Sequence, residues 1–209
     1  MADAIRRNPF DGLDDAMAQG SNDAVRLAAR PVMSQIGLRL DPSDTDAMGA
    51  VGRSLGLVLP NEPNRVAGDV EGGIAAFWLG PDEWLAVAPE AEGERLLADL
   101  GGALAGRHAA ALDQSAARGV LRLSGPRARD VLAKGCRLDL HQGVFKPGQC
   151  AQTAIARALV LICALDEMPS FDLYVRPSFS HYITHWLLDA MAEYGLPELS
   201  VSNSGVRAT

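Results

Sequence analysis

The stretch LSGPRARDVLAKGCRLDL, Leu123 to Leu140, decides how this chain is read, because a strand, a helix and a carboxylate on a turn follow one another within it. Leu121 and Leu123 alternate with Arg122 and Ser124, the period-two signature of a strand with one buried face. Gly125-Pro126 then switches the chain into a helix, with proline where the first turn has no use for an N–H. The helix is expected over Pro126 to Lys134, stopped at Gly135. Asp139 follows on a turn.

Outward from this stretch the same order of elements occurs twice. Upstream, a strand near Ile36 to Leu40 precedes a helix capped by Ser43, with Asp46 in its first turn. That helix places Met48, Val51 and Leu55 on one face and stops at Gly56. Strands at about 74–79 and 84–88, joined by a Gly80-Pro81-Asp82 turn, lead to a helix with Leu96, Leu97, Leu100 and Leu104 inward. Downstream of the opening stretch, strands within 153–165 and at 171–175 precede a long helix. On it Phe179, Ile183, Trp186, Leu187, Ala190, Met191 and Tyr194 form one apolar stripe, and Gly195 and Pro197 end it. Two βαββα-type halves with paired strands predict an α+β fold, antiparallel sheets covered by helices, rather than a doubly wound parallel sheet. The expected organisation is an extended arm at 1–24, one α+β domain at 25–196 with halves 25–108 and 109–196, and a flexible tail at 197–209. On that reading, deleting the arm leaves the core folded.

Composition narrows the function classes. The 209 residues are 48% apolar, enough for a sizeable core. A formal charge of −7 and an isoelectric point near 5, with no basic run, argue against nucleic acid as a partner. No apolar run reaches the roughly 20 residues of a bilayer span. The N-terminus lacks the apolar segment of a secretory signal, so a cytoplasmic protein without a membrane partner is expected. Cys136, Cys150 and Cys163 form no CxxC pair and are expected as reduced, inert core thiols.

Several phrases in fixed order carry a resemblance over about residues 25–195. They are WLGPDEWL (Trp78 to Leu85), Asp113-Gln114-Ser115 with Arg118, the opening stretch with Leu138-Asp139-Leu140-His141, FKPG (Phe145 to Gly148) and FDLYVR (Phe171 to Arg176). On these the chain resembles the glycine-cleavage T-protein superfamily of folate-dependent aminomethyltransferases, and within it the gamma subunits of bacterial heterotetrameric sarcosine oxidases. The resemblance implies the folate-binding-domain fold. It also implies a non-catalytic part in assembling and stabilising a complex with alpha, beta and delta subunits. That complex would demethylate sarcosine oxidatively to glycine, with hydrogen peroxide and either formaldehyde or methylenetetrahydrofolate as products. FAD, FMN, NAD, tetrahydrofolate and zinc would then lie on the partners, none on this chain. The competing reading is a stand-alone folate-dependent one-carbon transferase using Asp139.

Individual residues carry a functional reading and a plainer one. The resemblance places Asp139 where the T-protein family has its conserved aspartate, which makes it the one catalytic candidate; a solvated turn carboxylate or a subunit contact is the plainer reading. His181, His185 and Asp189 have the i, i+4, i+8 spacing of a metal face. They lie at about 200°, 240° and 280° from Phe179, opposite the apolar stripe, so a solvated or partner-facing surface is expected. Trp78 and Trp84 read as core, or as an interface anchor. Ser115 lacks a nucleophile elbow, and neither Gly72-Gly73 nor Gly101-Gly102 sits in a nucleotide-binding pattern. No catalytic, cofactor or metal site is assigned to the chain.

Overall fold

Alternation of side chains along the strands sets the architecture, because both faces of each sheet are covered. The computed structural model describes residues 7–195. Among these residues ten strands form two antiparallel sheets of five. The first contains β2 (Met33–Arg39), β3 (Val66–Gly68), β4 (Ala75–Gly80), β5 (Glu83–Pro89) and β6 (Ala110–Asp113), in the order β3-β4-β5-β2-β6. The second contains β1 (Arg26–Ala29), β7 (Gly119–Ser124), β8 (Cys150–Ile155), β9 (Ala158–Ala164) and β10 (Ser170–Val175), in the order β1-β7-β10-β9-β8. Helices α2 (Thr45–Leu55) and α3 (Gly93–Ala103) cover the first sheet, while α1 (Asp14–Gly20), α4 (Ala128–Ala133) and α5 (Ser180–Met191) cover the second.

Three apolar clusters follow from the period of two. Ala76, Trp84 and Ala86 face Val51, Leu55, Leu96 and Leu100 of the helices. Leu121, Leu123, Ile162 and Leu173 face Val131, Ile183 and Leu187. The alternate positions Phe77, Leu85 and Val87 meet Val120, Leu161, Cys163 and Tyr174 between the sheets. The molecule is therefore helix, sheet, sheet, helix, the α+β fold expected from the sequence.

The ends of the predicted halves differ from the boundary expected at 108/109. β1, from the first half, pairs with β7 in the second sheet, and β6 pairs with β2 in the first. Each half thus completes its sheet with an edge strand across the boundary. Separating the halves would expose both edges.

The extended arm is a further correction. Residues 8–24 fold onto the second sheet, where Phe10, Leu13 and Met17 are buried in the same cluster as Leu187 and Met191. Their i, i+3, i+7 spacing is a helical stripe, and burying three large side chains makes this segment part of the core rather than an arm. Its deletion should unfold that layer. Residues 1–6 and the tail expected at 197–209 lie outside the described residues.

Local signals locate the remaining elements closely. Asp44, not Ser43, caps α2, its carboxylate accepting from the N–H of Ala47 at 2.9 Å, while the Ser43 hydroxyl donates to Asp41. Gly56 ends α2 with φ 68°, a left-handed conformation that glycine takes without steric cost. α4 begins at Ala128, two residues after Pro126, and is a short element of six residues. Among the described residues no helix is long and apolar enough to cross a membrane.

Candidate functional site

The seam between the sheets holds the buried carboxylate Asp172 and the buried amide Gln35. Asp172 on β10 is wholly buried and lies directly across from Arg122 on β7. Arg122 donates to it twice, Nε to Oδ1 at 2.8 Å and Nη2 to Oδ2 at 3.0 Å, the fork-to-fork arrangement that suits guanidinium and carboxylate. The third nitrogen of Arg122 donates to Glu71 at 2.8 Å. Arg30 completes the cluster, with Nη1 3.2 Å from Glu71 and 3.7 Å from Asp172, and Nη2 donating to the carbonyls of Val70 and Glu71. Burial works against the charge on Arg122, but hydrogen bonds to Asp172 and Glu71 outweigh it and raise its pKa above the usual arginine value. The Arg122 hydrogen bond holds the Glu71 carboxyl below its usual value, against a smaller cost of burial. Both oxygens of Asp172 are engaged by Arg122. Such a carboxylate holds strands together.

Beside it the seam is apolar. Tyr174 is buried against Phe77, edge to face with centroids 5.2 Å apart, and burial drives its hydroxyl pKa well above the ordinary phenol value. Burial pushes the Cys150 thiol up to about 12 and raises Cys163 well above its ordinary value, so both stay protonated and unreactive at neutral pH. Cys136 departs from the expectation of three core thiols, because it is only half-buried at the edge of its cluster.

The Asp113 to Arg118 segment links the sheets. The Ser115 hydroxyl donates to Asp113 and accepts from the backbone N–H of Gln35 at 3.0 Å. Gln114 N–H donates to the carbonyl of Gln35 at 2.7 Å, and the Gln35 amide donates back to the carbonyl of Arg118 at 2.8 Å. A Cβ at Gly37 would lie 2.3 Å from Nε2 of Gln114, so any larger residue there would push that amide aside. Ser115 serves as a hinge pin between strands. Among the described residues no histidine is hydrogen-bonded to it.

The other sequence candidates lie apart from the seam. Asp139 is exposed, and its carboxylate accepts from the N–H of His141 at 2.9 Å, an Asx-type turn. His141 in turn accepts from the N–H of Gly143. His181, His185 and Asp189 line the exposed face of α5. Among the described residues no group of three or more His, Cys, Asp and Glu side chains is placed to hold a metal. Trp84 is fully buried and donates to the carbonyl of Pro60 at 2.8 Å, whereas Trp78 is half-buried on the same layer. The ion cluster and Gln35 are what residue-by-residue reading missed.

Two back-to-back antiparallel sheets with outer helices define an α+β domain of the aminomethyltransferase type. The glycine cleavage system aminomethyltransferase T of Bartonella henselae superposes on 83% of this chain, using 48% of its own length, with a TM-score of 0.61 at 15% identity, a likeness of fold. Residues 39–193 match the family described as Sarcosine oxidase, gamma subunit, and the chain belongs to that family. It is similar to the sarcosine oxidase subunit gamma of Corynebacterium sp. (strain P-1), 42% identical over 91% of this chain and 92% of that protein. It is also similar to a chain of the heterotetrameric sarcosine oxidase from Corynebacterium sp. U-96, with a TM-score of 0.86 and 38% identity over 94% of this chain and 100% of that one.

Proposed function

We propose that this chain is the gamma-type subunit of a heterotetrameric sarcosine oxidase, and that its task is to assemble and stabilise the complex rather than to carry the chemistry. The similarity over essentially the whole length of a chain of such a complex carries this reading. The site supports it. Asp172, the most buried carboxylate described, is spent on arginines, Ser115 on strand linkage and Asp139 on a turn. The partners would be alpha, beta and delta subunits holding FAD, FMN, NAD, tetrahydrofolate and zinc. Their joint reaction would be oxidative demethylation of sarcosine in the cytoplasm. A stand-alone folate-dependent transferase gains nothing from an exposed Asp139 already engaged by its own loop.

Co-expression of the neighbouring subunits with and without this chain tests the proposal. Omission is expected to abolish or greatly lower recovery of an assembled, sarcosine-oxidising complex, while Asp139→Ala in the full complex leaves its turnover unchanged. Full assembly and activity without the chain would overturn the subunit reading, and loss of turnover in Asp139→Ala would revive the catalytic one.

A further inference from the structure

Two exposed leucines stand on strand faces that are elsewhere inside the molecule. Among the described residues six large apolar side chains are exposed, and Leu112 (61%) and Leu159 (63%) are the two that lie on strands. A lone exposed leucine needs no explanation. The faces of these two do. Across the first sheet Leu112 pairs with Gly37, Gly37 with Leu85 and Leu85 with Phe77, and the last two of that row are buried between the sheets. Leu159 shares its face of β9 with Leu161 and Cys163, which are buried in the same place. The faces that pack together in the middle of the seam therefore run out uncovered at Leu112 and Leu159.

Between the two leucines lie two arginines. β10 pairs with β7 as far as Val175 and Gly119, and with β9 as far as Val175 and Val160. One residue further the backbone of Arg176 is still extended, with φ −62° and ψ 139°, which sets it opposite Arg118 on one side and beside Leu159 on the other. Arg118 donates to the Gln114 amide oxygen at 3.3 Å, and that amide lies against Gly37, the neighbour of Leu112. Like charges directly opposite on adjacent strands cost stability. Neither arginine has an ion pair among the described residues, and the carboxylate closest in its influence on Arg118, Glu83, is held by Arg39 at 2.8 Å. Burial and Arg176 lower the Arg118 pKa and Glu83 only partly opposes them, the mark of a cation short of counter-charge.

We propose that this end of the seam, from Leu112 through Arg118 and Arg176 to Leu159, is the surface on which a larger subunit of the complex docks, setting an aspartate or glutamate side chain against the two arginines and apolar side chains against the two leucines. The acidic side chain supplies the counter-charge that the described residues withhold. The apolar surroundings prolong the seam and keep water from the ion pair, which strengthens it. The inference rests on the subunit reading and adds where the partner binds and by what chemistry.

The test uses the co-expressed complex containing the full-length chain. Carbodiimide cross-linking joins an amine to a carboxylate in direct contact, so Arg176→Lys and Arg118→Lys make the proposed contact one that can be captured. Each is expected to give a cross-linked peptide, absent from the wild type, that joins position 176 or 118 to an aspartate or glutamate of another subunit. Mass photometry then follows dissociation of the complex on dilution. Arg176→Glu, and Leu112→Asp together with Leu159→Asp, should each raise the midpoint concentration roughly tenfold or more, the scale of a hot-spot residue. Val58→Asp alters an equally exposed apolar residue in the loop after α2 and should leave the midpoint unchanged. A thermal melt of each full-length variant confirms that it folds. A complex that forms with the wild-type chain and is no less stable with Arg176→Glu and the double leucine variant overturns the docking surface and leaves the subunit reading standing. So does a failure of both lysine variants to cross-link to another subunit, including cross-links that stay within this chain or join two copies of it. A wild-type chain that enters no complex overturns both readings.

Discussion

The outer layers and the seam of this molecule bury similar kinds of strand under different rules. Outside, each sheet meets its helices mainly through apolar contacts, such as Leu121, Ile162 and Leu173 against Ile183 and Leu187. Inside, Phe77, Leu161 and Val120 share the seam with the Asp172–Arg122 pair and with Gln35. Apolar layers tolerate exchanges of similar shape at modest cost, whereas a buried bidentate ion pair is satisfied in one register only. The lesson is a division of labour. The helices supply bulk hydrophobic stability, the Asp172–Arg122 pair fixes the register of β10 on β7, and Glu71 ties that pair to the first sheet.

The comparison breaks most sharply at Asp172. Asp172→Ala removes the buried carboxylate that part-buried Arg122 and Arg30 share, leaving them Glu71, and should cost about 3–5 kcal/mol in urea unfolding, while Asp172→Leu combined with Arg122→Met should recover most of that loss. A cost under about 1 kcal/mol would mean that the seam is no different from a surface pair. In the outer layer, Met17→Ala should cost about 2–5 kcal/mol through the cavity it leaves, and a near-zero cost would return the N-terminal segment to the status of an arm. Thiol labelling sharpens the picture without mutation. A maleimide should modify half-buried Cys136 in the native protein, and Cys150 and Cys163 only after unfolding. The smallest effect belongs to Glu71, which is more than half exposed. Its folded pKa lies below the ordinary 4.5, so its contribution is present above that value and fades as pH falls through the folded pKa. Glu71→Gln should therefore cost at most about 1 kcal/mol at neutral pH and nothing in acid.

Much of this fold was legible because its long elements carry clean periods. The apolar stripe of α5, the Gly56 stop and the Trp78–Trp84 hairpin all stand where their residues place them. The edge strands β1, β3 and β6 were not legible, being three or four residues long, too short for a period of two to declare itself. The Phe10, Leu13, Met17 stripe was present in the sequence but short, and the polar residues around it masked it. The ion pair escaped for a physical reason. Arg122 and Asp172 each look like the solvent-facing member of an alternating strand, and only pairing of the two strands shows that they neutralise one another. Tyr174 and Val120, apolar neighbours on the same faces, were the available sign that these faces are covered. Asp139 stood out by resemblance, yet its surroundings are solvent and its own turn.

The most direct test of the central claim is native mass spectrometry of the tagged full-length chain purified from its own cells. The subunit account predicts one copy of this chain in a single assembly with larger partners, in fixed one-to-one ratio. A chain recovered only by itself, under conditions where the sarcosine-oxidising activity purifies separately, would contradict it.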